Sequence, residues 1–307
     1  MSGFLVIRDL QRRFGRHAAL QGLSLDIPRN SVAAFVGANG AGKTTTFSII
    51  GQFIKAHGGS IEVGGVSLAE FRRSGGVIGL LPQDVHFFET RTVARQLLLF
   101  ARLAGLRGAA ARSEVARVLA LVKLEDRAES NPENLSRGMK VRLGVAQALI
   151  GNPPLVLLDE PTAGLDPVMQ RNFRENIEAI RGKTTVVISS HDLRELQALC
   201  DYVCIIEAGR LVRQGPLEGI LGDVSKVTVQ IGAIGDQANA LVTALPDFHV
   251  TVDGGVLTAR FDPQRFQVAE VNRIVLSTLL SRGVDILGLE SQKTLEESYL
   301  ETVKVNS

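Results

Sequence analysis

The sequence predicts an α/β protein: a layered core on a largely parallel sheet, carrying an antiparallel β piece and a helical insertion, followed by a small α+β unit. Three observations predict it. Over the first two-thirds, short β-branched or leucine-rich runs alternate with helical patterns, the order in which parallel sheets are built. One such run, Val32 to Val36, leads through a glycine-rich turn into a helical pattern over Thr44 to Ile54. Beyond about residue 223 the pattern changes to a β-α-β-β-α-β order. Domains usually hold about one to two hundred residues, so a chain of 307 favours two, placed at 1–223 and 224–307.

Charge and cysteine usage narrow the function classes. The 34 basic and 32 acidic residues leave a net charge of +2, which gives no electrostatic footprint for DNA or RNA. The two cysteines, Cys200 and Cys204, are too few for a disulfide framework and read as small buried apolar residues. The N-terminus lacks signal-peptide order, and no apolar run approaches the roughly 18 residues of a membrane-spanning helix. A soluble chain is expected, with attachment to a membrane only through a partner.

Taken in order, Phe4 to Ile7 and Leu23 to Ile27 read as strands of the antiparallel piece. The strand Val32 to Val36 then enters Gly37-Ala38-Asn39-Gly40-Ala41-Gly42-Lys43-Thr44, which satisfies every constrained position of G-x-x-x-x-G-K-[ST]. Its glycines let backbone N–H groups turn inward around an anion. Lys43 supplies charge to the outer phosphates, and the Thr44 hydroxyl is suited to Mg²⁺. Thr45 joins these as a nucleotide-binding candidate. A glycine-rich turn that happens to carry a lysine is the competing reading, opposed by the strand before the loop and the helix after it.

Thr92 to Lys123 reads as consecutive helices with apolar faces from Leu97, Leu98, Phe100, Leu103, Val115, Leu119 and Val122, inside an insertion over about 84–152. The next strand, Leu155 to Leu158, ends in the adjacent carboxylates Asp159 and Glu160. Beside a phosphate loop, such an ending lets Asp159 hold Mg²⁺ while Glu160, on the other side of the chain, addresses an attacking water. Taken alone, the pair is equally an ordinary strand exit with solvated acids.

With these stations in order, the chain resembles the nucleotide-binding subunit of an ABC transporter. The diagnostic segment is Leu135-Ser136-Arg137-Gly138-Met139, just before the acidic strand and opening a helix with Val141, Val145, Ala148 and Leu149 on one face. It resembles the family's signature sequence, with arginine and methionine where glycine and glutamine are commonest. The resemblance implies that Ser136, Arg137 and Gly138 reach a γ-phosphate at a helix N-terminus. It makes Phe14 the aromatic that stacks on adenine, although a plain core aromatic is also open. By the same resemblance Gln83 touches Mg²⁺ or the attacking water, and Asp166, in Gly164-Leu165-Asp166, contacts an opposite subunit. His191 becomes the group that contacts the γ-phosphate and orients Glu160.

The resemblance implies ATP hydrolysis with Mg²⁺ at a composite site shared by two subunits, either two copies of this chain or this chain and a related one. Transmembrane permease subunits are the implied partners, and the cytoplasmic face of the cell membrane the implied location. No nucleic acid is expected. The signature variant and the terminal Thr294 to Leu300 are similar to those of drug- and polysaccharide-exporter ATPases with a C-terminal accessory domain, which implies export. An ATP-gated regulatory module without transport work is the alternative. About fifty residues separate Gln83 from Ser136 without sustained heptads, unlike chromosome-organising relatives with long coiled coils. The arginines Arg91, Arg95, Arg102 and Arg107 form a solvated face in the region where the family docks its membrane partner. The C-terminal unit is expected to regulate or stabilise a dimer, or to be a folded spacer.

Overall fold

The computed structural model describes residues 3–190, 193–221, 226–232, 238–262, 265–291 and 295. The chain divides into two compact units at residues 217 and 218.

The first unit opens with β1 (Leu5–Phe14) and β2 (His17–Ile27), a hairpin pairing Leu5 with Ile27 and Ile7 with Leu25. After β3 (Val32–Val36) and α1 (Lys43–Ile50), β4 (Gly58–Val63) and β5 (Val66–Ser67) complete an antiparallel sheet of order β2-β1-β4-β5. The short α2 (Leu68–Arg73) leads to β6 (Ile78–Leu81). Three helices follow: α3 (Val93–Leu103), α4 (Gly108–Leu121) and α5 (Arg137–Ala148). The chain then alternates through β7 (Leu155–Asp159), α6 (Pro167–Ile180), β8 (Thr185–Ser189), α7 (Leu193–Leu199), β9 (Tyr202–Glu207) and β10 (Arg210–Pro216). These strands form a six-stranded sheet, β10-β9-β3-β8-β7-β6, parallel except for the β9–β10 pair.

Every residue of β3, β7 and β8 is buried, as parallel strands covered on both faces must be. One face shares a core with the antiparallel sheet and α1, built from aliphatic side chains that include Ile7, Leu23, Leu25, Leu155 and Leu157. Phe47 of α1 stacks on Phe35 of β3 at 5.7 Å between ring centroids and 16° between planes. Burying such a ring is worth about 2–3 kcal/mol, which fastens the helix to the strand from which it emerges. Sequence periodicity extends this helix to Ile54, but it stops at Ile50. Gly51 caps it, its N–H donating to Phe47 O at 2.8 Å, and Gln52 turns into the left-handed region at φ 64°.

In the helical insertion, Leu97, Val115, Leu119 and Val122 are buried as expected from their spacing. Leu103 is not: it stands 73% exposed at the last residue of α3. The four arginines of this region are exposed. Both cysteines are buried, and burial pushes their thiols far above the ordinary range, so they stay protonated.

α8 (Leu217–Leu221) begins where the first unit ends. In the second unit, β11 (Lys226–Ile231), α9 (Ala238–Ala244), β12 (His249–Asp253), β13 (Val256–Arg260), α10 (Val268–Ser281) and β14 (Ile286–Glu290) follow in βαββαβ order. The sheet runs β12-β13-β11-β14, and Val227, Val229, Leu257, Val271, Val275 and Leu279 fill its core. Of the terminal segment Thr294 to Leu300, only Leu295 lies among the described residues.

Candidate functional site

The C-terminal ends of four parallel strands meet in register. Phe35 of β3 pairs with Ser189 of β8, Ser189 with Asp159 of β7, and Leu81 of β6 with Leu158. The loops leaving this edge therefore lie side by side, which is where open α/β sheets bind their ligands.

The loop after β3 is shaped by close packing below and open space above. At Gly37 an added Cβ would stand 2.5 Å from the Ile206 carbonyl oxygen, so only glycine lets the strand pass there. Gly42 caps α1 at φ 108°, a left-handed value that L side chains rarely adopt. Thr46 is the first helical residue whose N–H reaches back, to Gly42 O at 2.9 Å. The N–H groups ahead of it in the first turn precede any i−4 carbonyl in the helix, which makes this end an anion site. The buried Lys43 arches back over the loop, Nζ donating to Gly37 O at 2.7 Å and Ala38 O at 3.3 Å.

Beside the loop, Asp159 is 2% exposed and held from behind: Ser189 Oγ donates to Asp159 Oδ1 at 2.5 Å. The same Ser189 hydroxyl accepts the Glu160 N–H at 3.0 Å, and Ser189 O accepts it at 3.1 Å. Glu160 sits at φ 50°, a conformation uncommon outside glycine and asparagine. The chain thus turns sharply at Glu160, which faces a cleft of about 470 Å³. Thr44, Gln83 and Phe14 line that cleft with it, as do Asn39, Gly40, Gly42, Lys43 and Thr45. Gly37, Ala38 and Ala41 shape the loop without lining the cleft, Ala41 being buried in the core. Phe14, 46% exposed, ends β1 at a tight turn opposite His17, with the Arg12 guanidinium 4.6 Å above its ring. A second cleft, of about 320 Å³, shares Gln83, Glu160 and Ala163 and adds Asp159 and Arg137 to its lining.

Ser136 and Asp166 stand elsewhere, as exposed helix caps. Ser136 Oγ accepts the Met139 N–H at 3.3 Å, and Asp166 Oδ1 accepts that of Met169 at 2.9 Å. Arg137 donates from Nη2 to Ala163 O at 2.7 Å, and Gly138 is buried. None of these four lines the phosphate-loop cleft. His191 lies outside the described residues.

A family model described as ABC transporter matches residues 20–163. The Nod factor export ATP-binding protein I of Burkholderia orbicola (strain AU 1054) is 36% identical over 211 residues, 68% of this chain and 69% of that protein. The chain belongs to the ABC transporter ATP-binding family. Across nearly its whole length this ABC ATPase is also similar to the linearmycin resistance ATP-binding protein LnrL of Bacillus subtilis (strain 168), with 28% identity over 303 residues, 96% of this chain and 97% of that one. A solved ATP-binding subunit of an ABC transporter superposes with a TM-score of 0.64 at 29% identity, covering 71% of this chain and 91% of that chain.

Two features of the ABC ATPase site escape the sequence reading. His17 and Ala163 line the cleft, and Ser189 braces both acidic residues. A two-residue turn after Phe14 signals His17, whereas Ser189, one of two adjacent serines closing the strand, carries no signal of its own.

Proposed function

We propose that this chain is the ATP-binding and ATP-hydrolysing subunit of a membrane exporter, working in head-to-tail pairs at the cytoplasmic face of the membrane. The observation that carries the proposal is the shared cleft: the phosphate loop, Gln83 and Glu160 line one space, and Asp159, braced by Ser189, lines a second cleft that shares Gln83 and Glu160 with it. The first-turn N–H groups of α1 and Lys43 take the phosphates, and Phe14 offers a flat surface to the base. Glu160 takes the proton of the water that attacks the γ-phosphorus as the bond to the ADP oxygen breaks. Gln83 orients that water, and His191 is assigned the same task by its place in the series.

The donors available for a metal fit Mg²⁺. Thr44 offers a hydroxyl, Gln83 an amide oxygen and Asp159 a carboxylate, all hard oxygens of the kind that share Mg²⁺ with substrate phosphates. When bound, the ion neutralises charge on the β- and γ-phosphate oxygens.

The pairing rests on Ser136. It caps an exposed helix start and does not line the cleft of its own phosphate loop, which supports a role at another chain's nucleotide. Asp166, exposed at the start of α6, belongs to the same contact surface. Export follows from the names of the relatives, one a Nod factor export protein and the other a linearmycin resistance protein. The membrane partner docks on the helical region, where a groove of about 610 Å³ is lined by Arg72, Phe100, Leu103 and Gln147. No described helix is long and apolar enough to cross a membrane.

Glu160→Gln tests the chemistry: the variant binds ATP as the parent does but loses about 10²-fold or more in kcat, the scale of a general base. Hydrolysis at the parental rate sinks the assignment.

A further inference from the structure

The start of α5 is fastened to the loop that follows β7. Although Arg137 is exposed, its guanidinium turns back to donate to Ala163 O at 2.7 Å. It also lies over Gly164, where an added Cβ would stand 2.7 Å from Nη2, 2.8 Å from Cζ and 2.9 Å from Nη1. The same stretch is gripped again at Gly138, where an added Cβ would come within 2.2 Å of Met169 Sδ. Met169 is itself placed by the cap at Asp166.

The fastened loop is the one that starts at Glu160. Ala163 N–H donates to Glu160 O at 3.2 Å and Leu165 N–H to Thr162 O at 3.0 Å, so the turns from 160 to 165 form one continuous hydrogen-bonded series. Its two ends have different duties. Glu160 and Ala163 face the chain's own phosphate loop, whereas Ser136, one residue before Arg137, is presented outward.

We infer that Arg137 is a positioning residue that sets the outward-facing segment Ser136–Gly138 against the Glu160–Gly164 loop, so that nucleotide held at one site fixes what the chain presents to the other. The inference rests on the two-chain reading above. Arginine suits this task because its planar fork can lie flat on a glycine while donating to a neighbouring carbonyl. Lysine would keep the charge and one donor but lose the flat contact.

The test uses the full chain in the hydrolysis-arrested Glu160→Gln background, with ATP and Mg²⁺, measuring dimerisation by sedimentation. Nucleotide affinity is measured separately on dilute monomer, and thermal melting checks that each variant folds. Arg137→Ala is expected to weaken ATP-driven dimerisation about tenfold, the scale of one well-made hydrogen bond, while monomer affinity stays within about twofold. Arg137→Lys recovers only part of the loss. Gly164→Ala strains the backbone in either background, since Gly164 sits at φ 69°, and weakens dimerisation further when Arg137 is present than in the Arg137→Ala background, where no guanidinium has to be displaced.

Dimerisation of Arg137→Ala within about twofold of the parent overturns the inference, as does an equal cost of Gly164→Ala in both backgrounds. Full rescue by lysine also overturns it, since charge alone would then suffice. If the Glu160→Gln parent itself stays monomeric with ATP, the two-chain reading fails and this inference falls with it.

Discussion

Ser189 is the side chain on which the two acidic residues converge. Its hydroxyl donates to Asp159 and accepts the Glu160 N–H, so one residue fixes a buried carboxylate and the turn that aims the next. Ser189→Ala removes a donor from a carboxylate 2% exposed, which costs about 1–3 kcal/mol of stability. The same variant is expected to lower kcat more than it raises KM for ATP, which a steady-state titration reads directly; an unchanged kcat would remove Ser189 from the site. At this scale the sequence is legible where chemistry and spacing coincide. Lys43, Thr44, Asp159 and Glu160 stand in patterns whose physical purpose is explicit. Ser189 stays hidden because a hydroxyl at a strand end carries no pattern until the register with β7 is known.

At the scale of elements, the helical insertion is tied together by one partly buried ion pair. Glu114 of α4 takes two donors from Arg117, at 2.8 and 2.7 Å, and the Gly151 N–H at 2.7 Å, while Arg117 also donates to Leu149 O at 2.9 Å. This joins α4 to the end of α5. The Arg117 hydrogen bonds hold the Glu114 carboxyl below its ordinary value of 4.5, with burial opposing and the Gly151 N–H assisting. Because the folded pKa is depressed, the stabilisation is present above the unfolded value and fades as pH falls from about 4.5 through the lower folded one. Thermal melting should therefore show the difference in stability between the parent and Glu114→Gln shrinking on acidification across that window. A difference independent of pH there would discount the pair. Periodicity foretells these helices and most of their buried faces. It fails at Leu103, since a helical stripe shows that a residue is apolar but not whether its turn ends at a core or at a groove. It overruns α1, because the stop is set by Gly51 and the left-handed Gln52 rather than by a loss of apolar residues.

At the scale of the molecule, the proposed docking groove on the helical region carries an exposed apolar side chain. Leu103 stands 73% exposed beside the groove between β6 and the helices. Single exposed apolar residues are ordinary on a folded domain, so it is the proposed docking at this groove that gives Leu103 a role. Leu103→Asp is expected to reduce co-purification with the membrane partner while ATP binding by the isolated chain is unchanged; retention at parental levels would place docking elsewhere. The change of pattern in the sequence lies near residue 223, and the structure divides into two units at 217 and 218.

In the two-chain reading, each molecule holds only half of an ATP site, the phosphate loop facing its own cleft and Ser136 facing away. Complementation between two inactive variants measures this. Lys43→Ala disables the loop half and Ser136→Arg the outward half, so each variant alone should hydrolyse no ATP. Mixed together, they form pairs in which one site takes its loop from the Ser136→Arg chain and its serine from the Lys43→Ala chain, and hydrolysis should return. A mixture as inactive as its components would mean that the two halves are not shared between chains.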